Sequence, residues 1–489
     1  MTTATTNPTV LATHTKNLIG GQWVGAASGQ TFEVVNPATN ATIASVPQAG
    51  AAEARQAVDV AAAAFPAWRE LPAADRGRRL RRMAELMVAE RERLATLLTA
   101  EQGKPLAEAR GEITYAASFI EWFAEEARRV YGETIPASVP NKRLLVLRQP
   151  IGVTAAVTPW NFPAAMITRK LGPALAAGCT MVIKPAEETP LSALALAEIA
   201  QRAEIPAGVV NVVTGEPAPI VEAIMNHRAM RRLSFTGSTE VGKLLVGMSA
   251  PNLVRLSLEL GGQAPFIVFD DADIDAAIAG AMASKFRNMG QTCICANRFF
   301  VQAGVAKVFT DKLQKAADGL RIGNGFDDGV QVGPLINDAA VEKVERHVAD
   351  ARAHGARIRS GGERVEIKGL APRFFAPTVI EDVTGEMLVS REETFGPVAP
   401  VRVFHKEEEA IAWANDSEYG LAAYMYTRDA SRLIRVAEAL EYGIIGANDG
   451  GPSTAQAPFG GVKHSGHGRE GGREGMAEYL ETKFVSWGI

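Results

Sequence analysis

Cysteine is nearly absent from this sequence, with three residues in 489. Three thiols cannot build a disulfide framework, so the chain must fold on its own core, and a reducing compartment is implied. No apolar run approaches the roughly 20 residues that a membrane-crossing helix needs. The stretch "MTTATTNPTVLATHTKN" lacks the basic region and apolar core of a secretory signal. It also has no arginine for a transit peptide, so the cytoplasm is expected. Charge of neither sign dominates: the net charge is −4. That excludes the electrostatic footprint of a nucleic-acid or anionic-membrane binder. The one basic run, "RGRRLRR" (76–82), is followed by Glu85, Glu90 and Glu92 and reads as a solvated helix face.

Two common nucleotide fingerprints are missing as well. "GSTEVGKL" begins as a P-loop does, with Gly237, Gly242 and Lys243 in register. Position 244 is Leu where a magnesium-holding Ser or Thr is needed. No GxGxxG occurs. His464 and His467 have no Cys or His partners nearby, so no metal site is implied.

What is present is an organised α/β chain. Residues 51–130 read as Ala-, Glu- and Arg-rich helices with apolar positions at helical spacing. From about 144 the texture alternates. "LLVLRQPIGVTAAVTPW" is β-rich, "PAAMITRKLGPALAAG" helical, "TMVIKP" a strand and "PLSALALAEIAQRA" a helix. "GVVNVVTG", "PIVEAIMNH", "RRLSFTG" and "STEVGKLLVGMSA" continue the series. Strands alternating with helices of this length imply βαβ units and a parallel sheet covered on both faces. A second mixed series starts at "APFIVF" and runs to about 446. The Gly-rich segment 448–475 reads as one long functional loop, and "YLETKFVSWGI" closes the chain as a strand.

Two spots suit a nucleotide. The Gly-Ser-Thr turn at 237–239 opens a helix whose free N–H groups suit a pyrophosphate, although a plain N-cap fits the same residues. Lys184 and Glu187 stand at the C-terminal end of a strand, where open sheets bind ligands; a surface ion pair is the alternative.

The ordered set "PWNFP" (159–163), "IKPAE" (183–187), "FTGSTEVG" (235–242), "LELGG" (258–262), "GQTC" (290–293), "EETFGP" (392–397) and "APFGG" (457–461) resembles the aldehyde dehydrogenase superfamily. The likeness covers roughly residues 17–489. Within it, "MITRK", "KFRNMGQTCICANR" and "LAPRFFAPT" most resemble succinate-semialdehyde dehydrogenases, with glutarate-semialdehyde enzymes next.

The resemblance implies an NAD enzyme, NADP being admitted. An aldehyde becomes a hydride donor only once it is tetrahedral, so the chemistry needs a nucleophile. The resemblance assigns that role to Cys293, with Asn161 as oxyanion donor and Glu259 as the base that hydrolyses the thioester. It carries Lys184 and Glu187 to the adenine ribose, Gly237 and Ser238 to the pyrophosphate, and Glu393 and Phe395 to the nicotinamide ribose and ring. Trp160 lies near the cofactor. Arg169 and Arg287 match positions that hold a substrate carboxylate, with Ser453, Thr454 and Phe459 in the substrate loop. That loop reads "NDGGPSTAQAPFGG", with Gly451 and Pro452 where bulky apolar residues are usual, so longer aldehydes are admitted. Cys295 is either a redox partner of Cys293 or simple packing under the loop.

In fold, the resemblance implies a doubly wound cofactor domain (1–124 and 147–259), an α/β catalytic domain (260–470) and a small β bridging element (125–146 and 471–489). The last element implies a homodimer or homotetramer. Rival readings are a CoA-acylating enzyme, against which Glu259 speaks, a thiol hydrolase, which the cofactor signals disfavour, and a non-catalytic protein on the same fold.

Overall fold

The structure is a computed structural model and describes residues 13–489. Most of the Thr-rich stretch lies outside the described residues. No helix among the described residues is long and apolar enough to cross a membrane.

Two large sheets carry the chain. The first has eight strands. Its parallel core contains Val153–Val157, Thr180–Lys184 and Val210–Val212, laid down outward in one direction. Met230–Thr236 then pairs on the other side of Val153–Val157, and Arg255–Glu259 follows it. The strand order therefore reverses between Val153–Val157 and Met230–Thr236. Such a reversal opens a crevice beyond the carboxyl ends of the two strands. The runs VTAAV and TMVIK are buried at every position, as strands covered on both faces must be.

The second sheet has seven strands, with Ala264–Val268, Ala296–Gln302 and Val398–Phe404 among its parallel members. A third sheet has three strands. The C-terminal strand Leu480–Gly488 pairs along its whole length with Lys142–Pro150, whose other edge holds Glu133–Ile135.

The structure differs from the sequence reading in three places. The β-rich stretch from 144 is two strands in different sheets, parted at Gly152, whose φ is +127°. A division at 146/147 thus falls inside Lys142–Pro150, because pairing to the C-terminal strand continues to Pro150. Segment 448–475 is not one loop: it holds Val462–Lys463, Gly466–His467 and the helix Gly472–Ala477. Gly466–His467 joins the first sheet beside Arg255–Glu259. A Cβ at Gly466 would lie 2.0 Å from the Leu258 carbonyl oxygen, so only glycine fits there. Finally, Arg76 leaves the solvated face. It is buried, and its Nε donates to the Ala176 carbonyl 3.1 Å away, capping the C-terminal turn of Ala165–Ala177.

That helix is buried on all sides, including Thr168, Arg169 and Lys170. Buried cations persist only when paired. Glu470, in the Gly-rich segment, contacts both Arg169 and Lys170.

Candidate active site

The site lies where the carboxyl ends of the first sheet meet the amino ends of the second. From the first sheet come Glu259, the last residue of Arg255–Glu259, Lys184, the last of Thr180–Lys184, and Trp160 and Asn161, just past Val153–Val157. Ser238 caps the helix Thr239–Ser249 and follows Met230–Thr236. From the second sheet come Cys293, just before Ala296–Gln302, and Glu393, before Val398–Phe404.

The segment leading to Cys293 is bent by three successive left-handed residues, Asn288, Met289 and Gly290, at φ +50°, +60° and +72°. A Cβ at Gly290 would lie 2.2 Å from the Gly396 carbonyl oxygen, which explains the glycine. The non-glycine pair costs about 1–3 kcal/mol per residue, and the surroundings hold it. Glu108 accepts the Asn288 N–H at 2.8 Å, and the Gln102 amide donates to Asn288 Oδ1 at 3.0 Å. Asn161 is fixed to the same segment. Its Nδ2 donates to the Gln291 carbonyl at 3.0 Å, while its own carbonyl accepts from Lys104 Nζ at 2.8 Å and Asn288 Nδ2 at 2.9 Å. The amide has two hydrogens, so one remains beyond the Gln291 bond.

A cavity of about 290 Å³ opens onto this segment. Cys293, Arg169, Arg287, Ser453 and Phe459 line it together. Arg287 is exposed at its wall and forms no ion pair with any described residue; its guanidinium carbon lies 5.4 Å from the Phe162 ring centroid. Arg169 is buried, with Nε 3.0 Å from Glu470 Oε2 and the Phe459 ring centroid 3.7 Å from its guanidinium carbon. The Ser453 hydroxyl is 2.5 Å from the Tyr115 hydroxyl. Thr454 does not line the cavity, and its hydroxyl is bonded to Gln456. Gly451 does line it, and a Cβ there would meet nothing closer than Asp449 Oδ1 at 4.0 Å. Cys295 lies below, fully buried, with its thiol donating toward the Lys285 carbonyl at 3.5 Å. Cys293 and Cys295 are both free thiols.

Burial sets the protonation of the site. The Cys293 thiol is pushed up to about 12 by desolvation, with Arg169 pulling the other way. The Glu259 carboxyl is pushed well above its ordinary value, first by burial and then by the charge on Glu470. Neither Glu259 oxygen has a protein partner. Glu470 itself is held low by Lys170 and Arg169 against the cost of burial.

The residues expected at the cofactor form a second group. Lys184 is buried and paired with the half-exposed Glu187, and desolvation brings its ammonium down to about 8. Ser238 Oγ accepts from the Val241 N–H at 3.4 Å. The other first-turn amides of that eleven-residue helix have no intrahelical acceptor. Gly237 has no room for a side chain, since a Cβ would lie 2.3 Å from the Phe235 ring. Glu393 accepts the Gly262 N–H at 3.0 Å, and burial raises its carboxyl to about 7. Trp160 and Phe395 meet edge to face at 5.6 Å. The donor set fits a dinucleotide: free helix amides for phosphate, and carboxylates at two places for ribose hydroxyls.

Sequence reading missed the support behind these groups. Lys104 and Glu112 form a buried pair at 2.6 Å, and Glu112 also accepts the Ala164 N–H at 2.9 Å. Glu108, Glu112, Tyr115 and Phe119 fall on one face of the helix Leu106–Glu126. That face was legible as an i, i+4, i+7, i+11 stripe, but its mixture of charge and ring resembles an ordinary amphipathic helix.

Comparison with known proteins agrees with this geometry. The model for the aldehyde dehydrogenase family matches residues 23–485. The NADP succinate-semialdehyde dehydrogenase of Escherichia coli (strain K12) is 58% identical over 472 residues, 96% of this chain and 97% of that protein. A glutarate-semialdehyde dehydrogenase of Pseudomonas aeruginosa is 57% identical over 470 residues, 96% of this chain and 97% of the relative. The crystal structure of succinate-semialdehyde dehydrogenase from Burkholderia pseudomallei superposes with a TM-score of 0.96 at 55% identity, covering 98% of this chain and 99% of that one.

Proposed function

The chain belongs to the aldehyde dehydrogenase family, and from that premise we propose that it oxidises a carboxylate-bearing aldehyde with NAD(P) as acceptor, succinic semialdehyde first and glutarate semialdehyde next. The observation that carries the substrate is Arg287, a guanidinium without an ion-pair partner among the described residues, on the wall of the cavity that holds Cys293. A guanidinium fork suits a carboxylate through paired charge-assisted hydrogen bonds. Arg169 supplies positive potential from below while sharing its charge with Glu470. The Tyr115 contact fixes the Ser453 hydroxyl beside them. The open space at Gly451 leaves room for a fifth carbon.

The mechanism follows from the site's own groups. The resting thiol is neutral, so a proton must leave Cys293 as sulfur attacks. That proton leaves to bulk water, and the charge on Arg169 favours the thiolate left behind. Attack on the aldehyde carbon gives a thiohemiacetal oxyanion. The free hydrogen of the Asn161 amide and the Cys293 N–H are its donors. NAD(P), when bound, accepts the hydride. The product on Cys293 is a thioester; Glu259, whose basicity burial raises, takes a proton from a water that attacks the carbonyl carbon, and the carbon–sulfur bond breaks to release the acid and the Cys293 thiolate. Lys184 and Glu187 would hold the adenine ribose, Gly237 and Ser238 the pyrophosphate, and Glu393, Phe395 and Trp160 the nicotinamide end.

The exposed Phe484 and Trp487 lie on the edge strand Leu480–Gly488 of the third sheet. An apolar edge of this kind is normally covered, which supports a homo-oligomer built through this third sheet. The first sheet is the cofactor domain and the second the catalytic one, meeting between Glu259 and Ala264. Three free thiols support a cytoplasmic setting.

The deciding experiment compares succinic semialdehyde with butanal, which has the same chain length without the carboxylate. NAD(P)H formation should favour the semialdehyde by at least tenfold in kcat/KM. Equal values remove the carboxylate reading, and no turnover of either removes the dehydrogenase reading.

A further inference from the structure

The helix Asp338–Ala353 grips the segment that carries Glu393. His347 on this helix is fully buried and uses both ring nitrogens. Nδ1 lies 3.1 Å from Thr394 Oγ1, and Nε2 lies 3.1 Å from Glu392 Oε2. Those partners are the two neighbours of Glu393. One turn earlier on the same helix, Val344 closes the other side: a Cβ at Gly396 would lie 2.4 Å from Val344 Cγ2. The Gly396 carbonyl in turn abuts Gly290 of the nucleophile segment. Between clasp and stop sits Phe395, at φ +52°, a left-handed conformation that bulky side chains avoid. Something must hold it there, and the clasp is the nearest device.

We propose that His347 is a positioning residue for the dinucleotide, clasping Glu392 and Thr394 so that Glu393 and Phe395 present a preformed surface to the nicotinamide ribose and ring. This rests on the dehydrogenase reading. A neutral imidazole has one donor and one acceptor. The Glu392 carboxylate only accepts, so Nε2–H donates to it, and the buried Thr394 hydroxyl donates to Nδ1. A second ring proton would turn Nδ1 into a donor facing the Thr394 hydroxyl, whose own proton would then lose its acceptor. The charges around the ring are Glu392 on the loop and Lys343 and Arg346 on its own helix. Burial keeps the ring neutral below its ordinary value of 6.5, and Lys343 and Arg346 add to that against the pull of Glu392. The ring is therefore neutral near neutral pH, with one nitrogen donating to Glu392 and the other accepting from Thr394.

Two variants, His347→Phe and Thr394→Val, remove the bonds from either end while keeping bulk. Dissociation constants for NAD+ and NADP+ are read by titration, and cofactor-free hydrolysis of p-nitrophenyl acetate reports the nucleophile separately. Thr394→Val, which loses one hydrogen bond, should bind dinucleotide about fivefold to tenfold more weakly, and His347→Phe, which loses both, at least as weakly, with ester hydrolysis within twofold of the wild type in each. His347→Gln, whose amide can donate to Glu392 and accept from Thr394, should restore most of the affinity. Affinity unchanged in both variants overturns the proposal, as does an equal loss of ester hydrolysis, which would mark a merely structural role. A wild type that binds neither dinucleotide overturns the dehydrogenase reading instead. If His347→Phe fails to fold, Thr394→Val alone decides.

Discussion

Arg169 places its Nε 3.0 Å from Oε2 of Glu470, with both side chains buried. Lys170, beside it, contacts the other oxygen of the same carboxylate. One anion thus serves two cations inside a helix that is buried on every side. Glu470→Ala would strand both. Removing one partner of a buried pair costs about 3–5 kcal/mol, so the variant should lose several degrees of thermal midpoint or fail to accumulate as soluble protein. A midpoint equal to the wild type would mean that water reaches this cluster and the pair is not structural.

The two arginines of the cavity should not be equivalent. Arg169 is already engaged by Glu470 and faces the Phe459 ring, whereas Arg287 has no ion-pair partner among the described residues. Arg287→Met should lower kcat/KM for succinic semialdehyde on the order of 10–100-fold, the worth of a charged hydrogen bond, and leave butanal nearly unchanged. Arg169→Met should affect both aldehydes and stability, because it also unpairs Glu470. If Arg287→Met hits both substrates equally, the residue shapes the cavity and does not read the carboxylate.

How much of this was legible in the sequence depends on the kind of constraint. Cys293, Glu259, Asn161 and Glu393 stand in short motifs next to strand ends, and local signals of this kind are what a sequence can show. The alternation of strands and helices likewise foretold the parallel core, because buried parallel strands are written as continuous apolar runs. The clasp on Glu393 was not legible. His347 and Thr394 are 47 residues apart, and although Thr394 stands in the EETFGP motif, nothing local marks His347. The same holds for Lys104 and Glu112 against Asn161. Arg76 was misread because a basic run looks solvated until the helix end that it caps is known. Thr454 and Ser453 are neighbours with equal chemistry, and only the turn of the chain decides that Ser453 reaches the cavity.

We propose that cofactor choice turns on Glu187, which pairs with Lys184 at the end of Thr180–Lys184. A carboxylate there meets the 2′-phosphate of NADP with like charge and accepts from the 2′-hydroxyl of NAD. The Lys184 contact offsets part of that repulsion, so we expect a moderate preference for NAD with NADP accepted. Glu187→Ser should raise kcat/KM for NADP relative to NAD about tenfold, as removal of one unfavourable charge near the phosphate would. Steady-state kinetics with both cofactors measures this. An unchanged ratio would show that the ribose end is read elsewhere.

The pair Cys293 and Glu259 makes the prediction with the clearest kinetic form. Burial raises both groups, the thiol to about 12 and the carboxyl well above 4.5. Each works as its deprotonated form, so the active fraction grows as pH rises through the raised values and is lost on the acid side. Turnover should therefore climb with pH from the acid limb into the alkaline range. Glu259→Gln cannot take a proton from water at the thioester. It should release a burst of NAD(P)H approaching one per competent site and then stall, with the acid limb of its steady-state profile flattened. Cys293→Ala should give neither burst nor turnover, because no tetrahedral adduct forms. Rapid-mixing absorbance of the reduced cofactor separates these cases. A Glu259→Gln variant that turns over at the wild-type rate with the same pH limb would show that another group activates the water, and Glu470, next in line through Arg169, would be the one to substitute.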